Sequence, residues 1–272
     1  MKLVALPFVK EWIASWKAIA QHKLYALASM VIDLVFFLCF GFLTAPIFDK
    51  LSVHVIIIGT LLSAQMRAAE GRARPAVIDA LFQQPVSHFT WQFIGLLALL
   101  VITVFVLYCV LHGINWWLAT SLAGKKTHWR AFLLQFLRVN ALWMALYVAW
   151  YATDTVFDLR RMVVEKLSGQ PAQGSALLLS VVLVALGYFA IVSYPLLNIR
   201  GAFSIGARKI PVIVPALVLI IAQFLVGNLI VGWLFTVNAT AYFIIGSILL
   251  LFLLAWSRLY VARVVRSASH GV

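Results

Sequence analysis

One acidic residue, Asp33, lies deep inside a long apolar stretch and is the clearest candidate for chemistry in this chain. It follows Lys23 by ten residues, which in a helix is about 15 Å, close to the middle of a bilayer. A carboxylate at that depth costs at least about 2.5 kcal/mol when unpaired, so it must be protonated, paired or facing water. Asp33 therefore indicates either a proton or cation site inside a helix bundle or a hydrogen bond that fixes helix packing.

Amide side chains interrupt three other apolar runs, and they are candidate neighbours of this carboxylate. The predicted ion or solute pathway comprises Asp33, Asn140, Gln223 and Asn228. Catalytic motifs do not accompany it: the chain has no HExxH, no GxSxG, no GxxxxGK and no glycine-rich dinucleotide turn. The six histidines are scattered. We therefore expect neither an enzyme nor a resident cofactor or metal.

The amino-acid composition indicates the environment in which these residues lie. Of the 272 residues, 64% are hydrophobic and only 11% are charged, whereas soluble domains carry about 25% charged residues. The apolar runs are continuous rather than alternating, which is typical of membrane helices and not of a membrane β-barrel. The sequence predicts an all-α, polytopic helical integral membrane protein.

Six apolar runs are long enough to cross a bilayer, which needs about 20 residues in a helix. The central run, residues 91–120, contains no charge at all. A proline, Pro46, is expected to end the first run, and residues 53–66 form a weaker stretch that is too short to cross comfortably. The other runs are residues 24–47, 131–153, 175–197, 212–235 and 241–256.

The distribution of lysine and arginine tests the number of crossings, because cytoplasmic loops carry an excess of both. If residues 53–66 cross, the chain has seven spans, and ten basic residues lie on one side of the membrane and eleven on the other. With six spans they divide fourteen against seven. We therefore predict six spans, or seven if residues 53–66 cross, with both termini cytoplasmic in a prokaryotic plasma membrane.

Amphipathic segments flank the spans. Residues 7–21 place tryptophans on one face and lysines on another, which predicts a helix in the interface plane, and residues 70–89 predict a second interfacial helix that breaks near Pro85. The predicted organisation is an interfacial helix within residues 1–23, a single bundle over residues 24–266 and a tail over residues 267–272.

The net charge of +13 suggests anionic partners. Because the basic residues are spread through short loops, they indicate membrane lipids rather than nucleic acid. The alternative is that they only determine topology. The predicted lipid or partner contacts are Lys10, Lys17, Lys125, Lys126, Arg130, Arg208 and Lys209.

The segment from Glu70 through Arg72 and Leu81 to Pro85, Val86 and Ser87 resembles the stretch between the second and third spans of ABC exporter permeases. In that family an acidic, glycine-containing helix precedes Pro-Val-Ser and contacts a cytoplasmic ATPase, and an amphipathic N-terminal helix is also shared. The Gly-Thr that usually follows the acidic residues is missing here. The resemblance implies a cytoplasmic segment, whereas the charge count places residues 70–89 outside.

Two functions fit these patterns. The first is a transport-related, permease-like role for a small or hydrophobic solute, which would explain the polar groups inside the bundle. The alternative is a non-enzymatic scaffold or accessory subunit of a larger membrane complex, which binds lipid and partner proteins, among them other subunits or a cytoplasmic ATPase.

Overall fold

The structure is a computed structural model of the chain. It describes residues 6–68, 77–124, 127–168 and 176–270. Within these ranges every regular element is helical and none is a strand. The predicted all-α fold is confirmed.

Ten α-helices and one π-helical turn follow each other in the described part of the chain. They are α1 (Pro7–Gln21), α2 (Lys23–Ala68), α3 (Val77–Leu81), α4 (Val86–Leu107), the π-turn (Tyr108–His112), α5 (Gly113–Leu122), α6 (Trp129–Ser168), α7 (Ala176–Leu196), α8 (Ile199–Arg208), α9 (Ile210–Val237) and α10 (Ala239–His270).

Six helical stretches in the described part of the chain are long and apolar enough to cross a membrane, as predicted. The protein is therefore an integral membrane protein. The six stretches are Lys23–Gln65, Val86–Leu122, Trp129–Asp158, Leu177–Leu196, Ile210–Trp233 and Tyr242–Ser269.

The prediction that Pro46 ends the first span is wrong. Helix α2 continues through Pro46 for 46 residues in all, so residues 53–66 belong to the same helix as Asp33. A proline removes one hydrogen bond, but a membrane helix tolerates this loss because neighbouring helices, hydroxyl side chains and local adjustments can satisfy the freed backbone groups. Two further prolines, Pro195 and Pro215, also lie inside helices.

Two other spans differ from their predicted form. The central run is not one regular helix, because the π-turn separates α4 from α5. The last helix does not end near Trp256 but continues to His270. This extension places Arg258 inside a membrane-spanning helix instead of among basic residues that follow the last span, so the arginine needs a partner within the protein.

The N-terminal segment forms the predicted helix, and its tryptophans pack against the last two spans. Trp16 stacks on Trp256 with their ring centroids 5.3 Å apart, and Trp12 Nε1 donates to Gln223 Oε1 at 3.3 Å. The hydroxyl of Tyr260 donates to the carbonyl of Phe8. Helix α1 is thus held by protein contacts on its tryptophan face.

The second predicted interfacial helix falls partly outside the described residues. Of residues 70–89, those from 70 to 76 are not described; the remainder forms α3, a short turn through Pro85 and the beginning of α4 at Val86. The predicted break near Pro85 is where α4 begins.

The described chain forms two compact units, one comprising Val35–Tyr108 and the other the residues on either side of that range. In the latter unit the largest fully buried side chains are aromatic, among them Trp256, Tyr260, Phe132 and Phe136. Phe132 and Phe136 are stacked 6.1 Å apart on α6. The division into a single bundle with terminal segments stays a prediction.

Candidate functional site

Asp33 forms a bidentate ion pair with Arg258. Arg258 Nη1 donates to Asp33 Oδ2 at 2.7 Å, and Nη2 donates to Oδ1 at 2.8 Å. The carboxylate side chain is 1% exposed and the guanidinium 8%. Two parallel charge-assisted hydrogen bonds give this geometry both strength and directionality.

Two residues of the central span complete the cluster. Asn115 Nδ2 donates to Asp33 Oδ1 at 2.8 Å, and Arg258 Nη2 approaches His112 Nδ1 at 3.0 Å. Because a guanidinium can only donate, His112 Nδ1 is the acceptor in this contact. Ser29 also lies here, its hydroxyl 3.5 Å from Arg258 Nη1.

Three elements position these side chains. Ser29 and Asp33 are four residues apart on α2, so they share one face of that helix. His112 ends the π-turn and Asn115 lies in the first turn of α5. A π-turn shifts the register of the residues that follow it, and such turns are frequent at functional sites. Arg258 comes from α10, so the cluster joins three spans.

The chemistry of this cluster is that of a satisfied ion pair rather than an open cation site. Both carboxylate oxygens of Asp33 accept from Arg258, and the pair carries no net charge. One polar atom is left over: Asn115 Oδ1 is buried and has no hydrogen-bond partner in the described part of the chain. A search of the described residues found no group of histidine, cysteine and carboxylate side chains that could hold a metal ion.

The other predicted pathway residues do not join Asp33. Asn140 is buried and donates to the carbonyl of Phe136 in its own helix. Gln223 accepts from Trp12. Asn228 lines a separate cavity between α9 and α10. The amide beside Asp33 is instead Asn115, so the structure distributes the four predicted residues over four separate places.

The cavity at Asn228 lies between two spans. It has a volume of about 630 Å³ and is lined by α9 and α10. Asn228, Tyr242 and Ser247 contribute polar groups to an otherwise largely apolar wall. The two helices approach each other closely beside the cavity, since an added Cβ on Gly246 would lie 2.8 Å from Val231 Cγ1.

The predicted lipid or partner contacts lie mostly at exposed positions. Lys10 and Lys17 are exposed on α1, and Arg208 is exposed in the last turn of α8. Arg130 is exposed and lies over the ring of Trp129, 5.3 Å from its centroid. Lys209 caps the C-terminus of α8 and is half-buried. Lys125 and Lys126 lie outside the described residues.

Four members of the cluster were not predicted from the sequence: Ser29, His112, Asn115 and Arg258. Arg258 was assigned to the terminal basic residues because the last span was expected to end near Trp256. Asn115 and His112 carried a usable signal, since they are three residues apart in the charge-free central run and therefore share a helix face.

Comparison with protein-family models, with curated proteins and with solved structures found no match to this chain.

Proposed function

We propose that this chain is a permease-like membrane protein for a small or hydrophobic solute, and that the solute occupies the cavity between α9 and α10. The observation that carries the proposal is the cavity itself. A volume of about 630 Å³ falls within the range of about 300–1,000 Å³ that small-molecule sites occupy. We further propose a prokaryotic plasma membrane as its location, with both termini cytoplasmic.

The lining of the cavity favours an amphipathic solute. Apolar side chains such as Phe224 and Leu250 would cover the hydrophobic part of the solute. The amide of Asn228 and the hydroxyls of Tyr242 and Ser247 would orient a single polar group. Both helices are membrane spans, so a lipophilic molecule would reach the cavity from the bilayer.

The proposal predicts that filling the cavity abolishes solute handling. Ser247→Trp places an indole in the cavity, whereas Ile248→Trp adds the same group at the next residue of α10, which is 53% exposed and does not line the cavity. Accumulation of the lipophilic dye rhodamine 6G would be measured in cells that express each variant. We expect the wild type and Ile248→Trp to alter dye accumulation equally, and Ser247→Trp to behave like cells without the protein.

Two results would contradict the proposal. Equal activity of the two tryptophan variants would exclude this cavity as the solute site. No change in dye accumulation with any variant, together with a stoichiometric non-ATPase partner in the intact mass of the extracted complex, would favour the scaffold or accessory-subunit alternative. A stoichiometric ATPase partner would instead support a permease subunit.

A further inference from the structure

We propose that a cleft between α6 and the α7–α8 connection binds the phosphate group of an anionic phospholipid. The cleft has a volume of about 370 Å³. Two arginines, Arg138 of α6 and Arg200 of α8, line it together with the amides of Gln135 and Asn198. Two guanidinium groups and two amides are the donor set that a phosphate requires.

The antiparallel packing of α6 and α7 brings these residues together. Trp143 Nε1 donates to Ser193 Oγ at 2.9 Å, and Trp150 Nε1 donates to the carbonyl of Leu179 at 2.9 Å. These two contacts show that α6 and α7 run in opposite directions. Arg138 precedes Trp143 on α6, and it therefore lies near the residues that follow Ser193, at the beginning of α8. The two arginines therefore come from separate elements whose relative position is fixed by buried contacts.

The turn at this point is tightly defined. Leu197 adopts a left-handed conformation with φ 56°, and Asn198 caps α8 by accepting from the amide of Gly201 at 3.2 Å. The cap uses Asn198 Oδ1 and leaves its Nδ2 group as a donor. The cleft thus presents a donor amide beside the two guanidinium groups.

The charges of the cleft are not neutralised by the protein. Neither Arg138 nor Arg200 forms an ion pair within the part of the chain that the structure describes. The chain has eight acidic and 21 basic residues, so most of its basic residues have no acidic residue with which to form an ion pair. Both exposed guanidinium groups are therefore available to an anion from outside the protein, and a guanidinium binds phosphate through parallel hydrogen bonds.

The position of the cleft points to lipid as the source of the phosphate. The membrane span of α7 ends at Leu196 and that of α9 begins at Ile210, so the segment with Asn198 and Arg200 lies where two spans leave the bilayer. That is the level of the lipid headgroups, where basic residues between spans bind anionic lipid. A free phosphate ion would bind the same donors without the acyl chains.

The experiment uses the full chain in mild detergent and counts bound lipid by native mass spectrometry. The probes are phosphatidylglycerol, phosphatidylcholine and inorganic phosphate, each added alone, and phosphatidylglycerol in competition with inorganic phosphate. The variants are R138Q/R200Q and, as matched control, R208Q, which removes an exposed arginine of α8 that does not line the cleft. We expect the wild type to retain one phosphatidylglycerol, and R138Q/R200Q to lose at least about tenfold in affinity because two charge-assisted contacts disappear.

The control should bind within about twofold of the wild type, since an exposed charge outside the cleft contributes little. Equal losses in R208Q and R138Q/R200Q would overturn the proposal, because the effect would then be one of general surface charge. Binding of inorganic phosphate with no preference for phosphatidylglycerol over phosphatidylcholine would overturn the lipid assignment. If R138Q/R200Q fails to fold, R200Q alone gives the same test, since Arg200 is exposed at the beginning of its helix.

Discussion

At the scale of single residues, the buried pair of Asp33 and Arg258 is expected to contribute more to specificity than to stability. Removing two charges from water costs several kcal/mol each, and a well-formed pair roughly recovers that cost. Breaking the pair is different, because it leaves one buried charge without a partner. The pair therefore selects the arrangement of α2 and α10 in which both groups meet.

This reasoning predicts an asymmetry between single and double substitutions. Asp33→Ala should destabilise the protein by about 3–5 kcal/mol, because Arg258 is left buried and unpaired. The double variant Asp33→Leu with Arg258→Met should recover most of that loss, since it removes both charges and keeps the volume. Melting followed by tryptophan fluorescence in detergent would measure both.

The matched control is the weaker pair of Glu11 and Arg263. Its atoms are 3.8 Å apart and its side chains are 20% and 25% exposed, so Glu11→Gln should cost less than about 1 kcal/mol. A double variant at Asp33 and Arg258 that is as unstable as Asp33→Ala would contradict the assignment of the two residues to one pair. Normal dye handling by a stable double variant would remove Asp33 from the solute pathway.

At the scale of elements, the position of α5 beside α6 depends on a glycine. Gly113 begins α5 directly after the π-turn, and an added Cβ there would lie 2.6 Å from Leu133 Cδ2 and 3.1 Å from Phe136 Cδ1. The first distance is shorter than real Cβ contacts and the second is tighter than most, so Leu133 and Phe136 must shift if residue 113 carries a side chain. The approach also holds Asn115 within reach of Asp33.

Gly113→Ala should therefore destabilise the protein by about 1–3 kcal/mol, the usual cost of overpacking a well-filled contact. Gly95→Ala is the natural comparison, because Gly95 precedes the π-turn in α4 and its Cβ would meet nothing within 4 Å. Thermal melting of the two variants under identical conditions gives the difference. Equal melting temperatures of the two variants would show that α5 and α6 accommodate the added methyl group without loss of stability.

At the scale of the whole molecule, the continuity of α2 determines the number of crossings. A helix of 46 residues is about 69 Å long, and its residues 53–66 extend the span that contains Asp33. Within the described residues, six helical stretches are long and apolar enough to cross a membrane. The positive-inside count favours the same number, so charge and helix length agree.

Cysteine labelling would test this topology. In a chain without Cys39 and Cys109, new cysteines replace His22, which precedes α2, and Gln83, which precedes α4; both positions are exposed. Six spans place the two positions on opposite sides, because only α2 separates them. Labelling of both by a membrane-impermeant maleimide added to sealed cells would contradict six spans and favour a separate crossing by residues 53–66.

The sequence by itself determined the medium, the helical class and the six long apolar runs of this protein. These properties follow from local composition, because a backbone in hydrocarbon must satisfy its hydrogen bonds within each helix. The sequence also identified Asp33 as a carboxylate in an apolar run that must be protonated, paired or facing water. The end of α2 was beyond such reasoning, since Pro46 is a strong helix stop in water and a tolerated residue in a membrane helix.

Only the tertiary structure decided which residues meet. Arg258 lies 225 positions from Asp33 along the chain, and no periodicity within one helix indicates which face another helix will contact. The same limit applies to Asn140, Gln223 and Asn228, whose polarity was visible but whose separate partners were not. Helix packing in a bilayer is decided by close contacts such as that of Gly113 and by pairs such as Asp33 with Arg258, because burial of apolar surface does not distinguish one apolar neighbour from another.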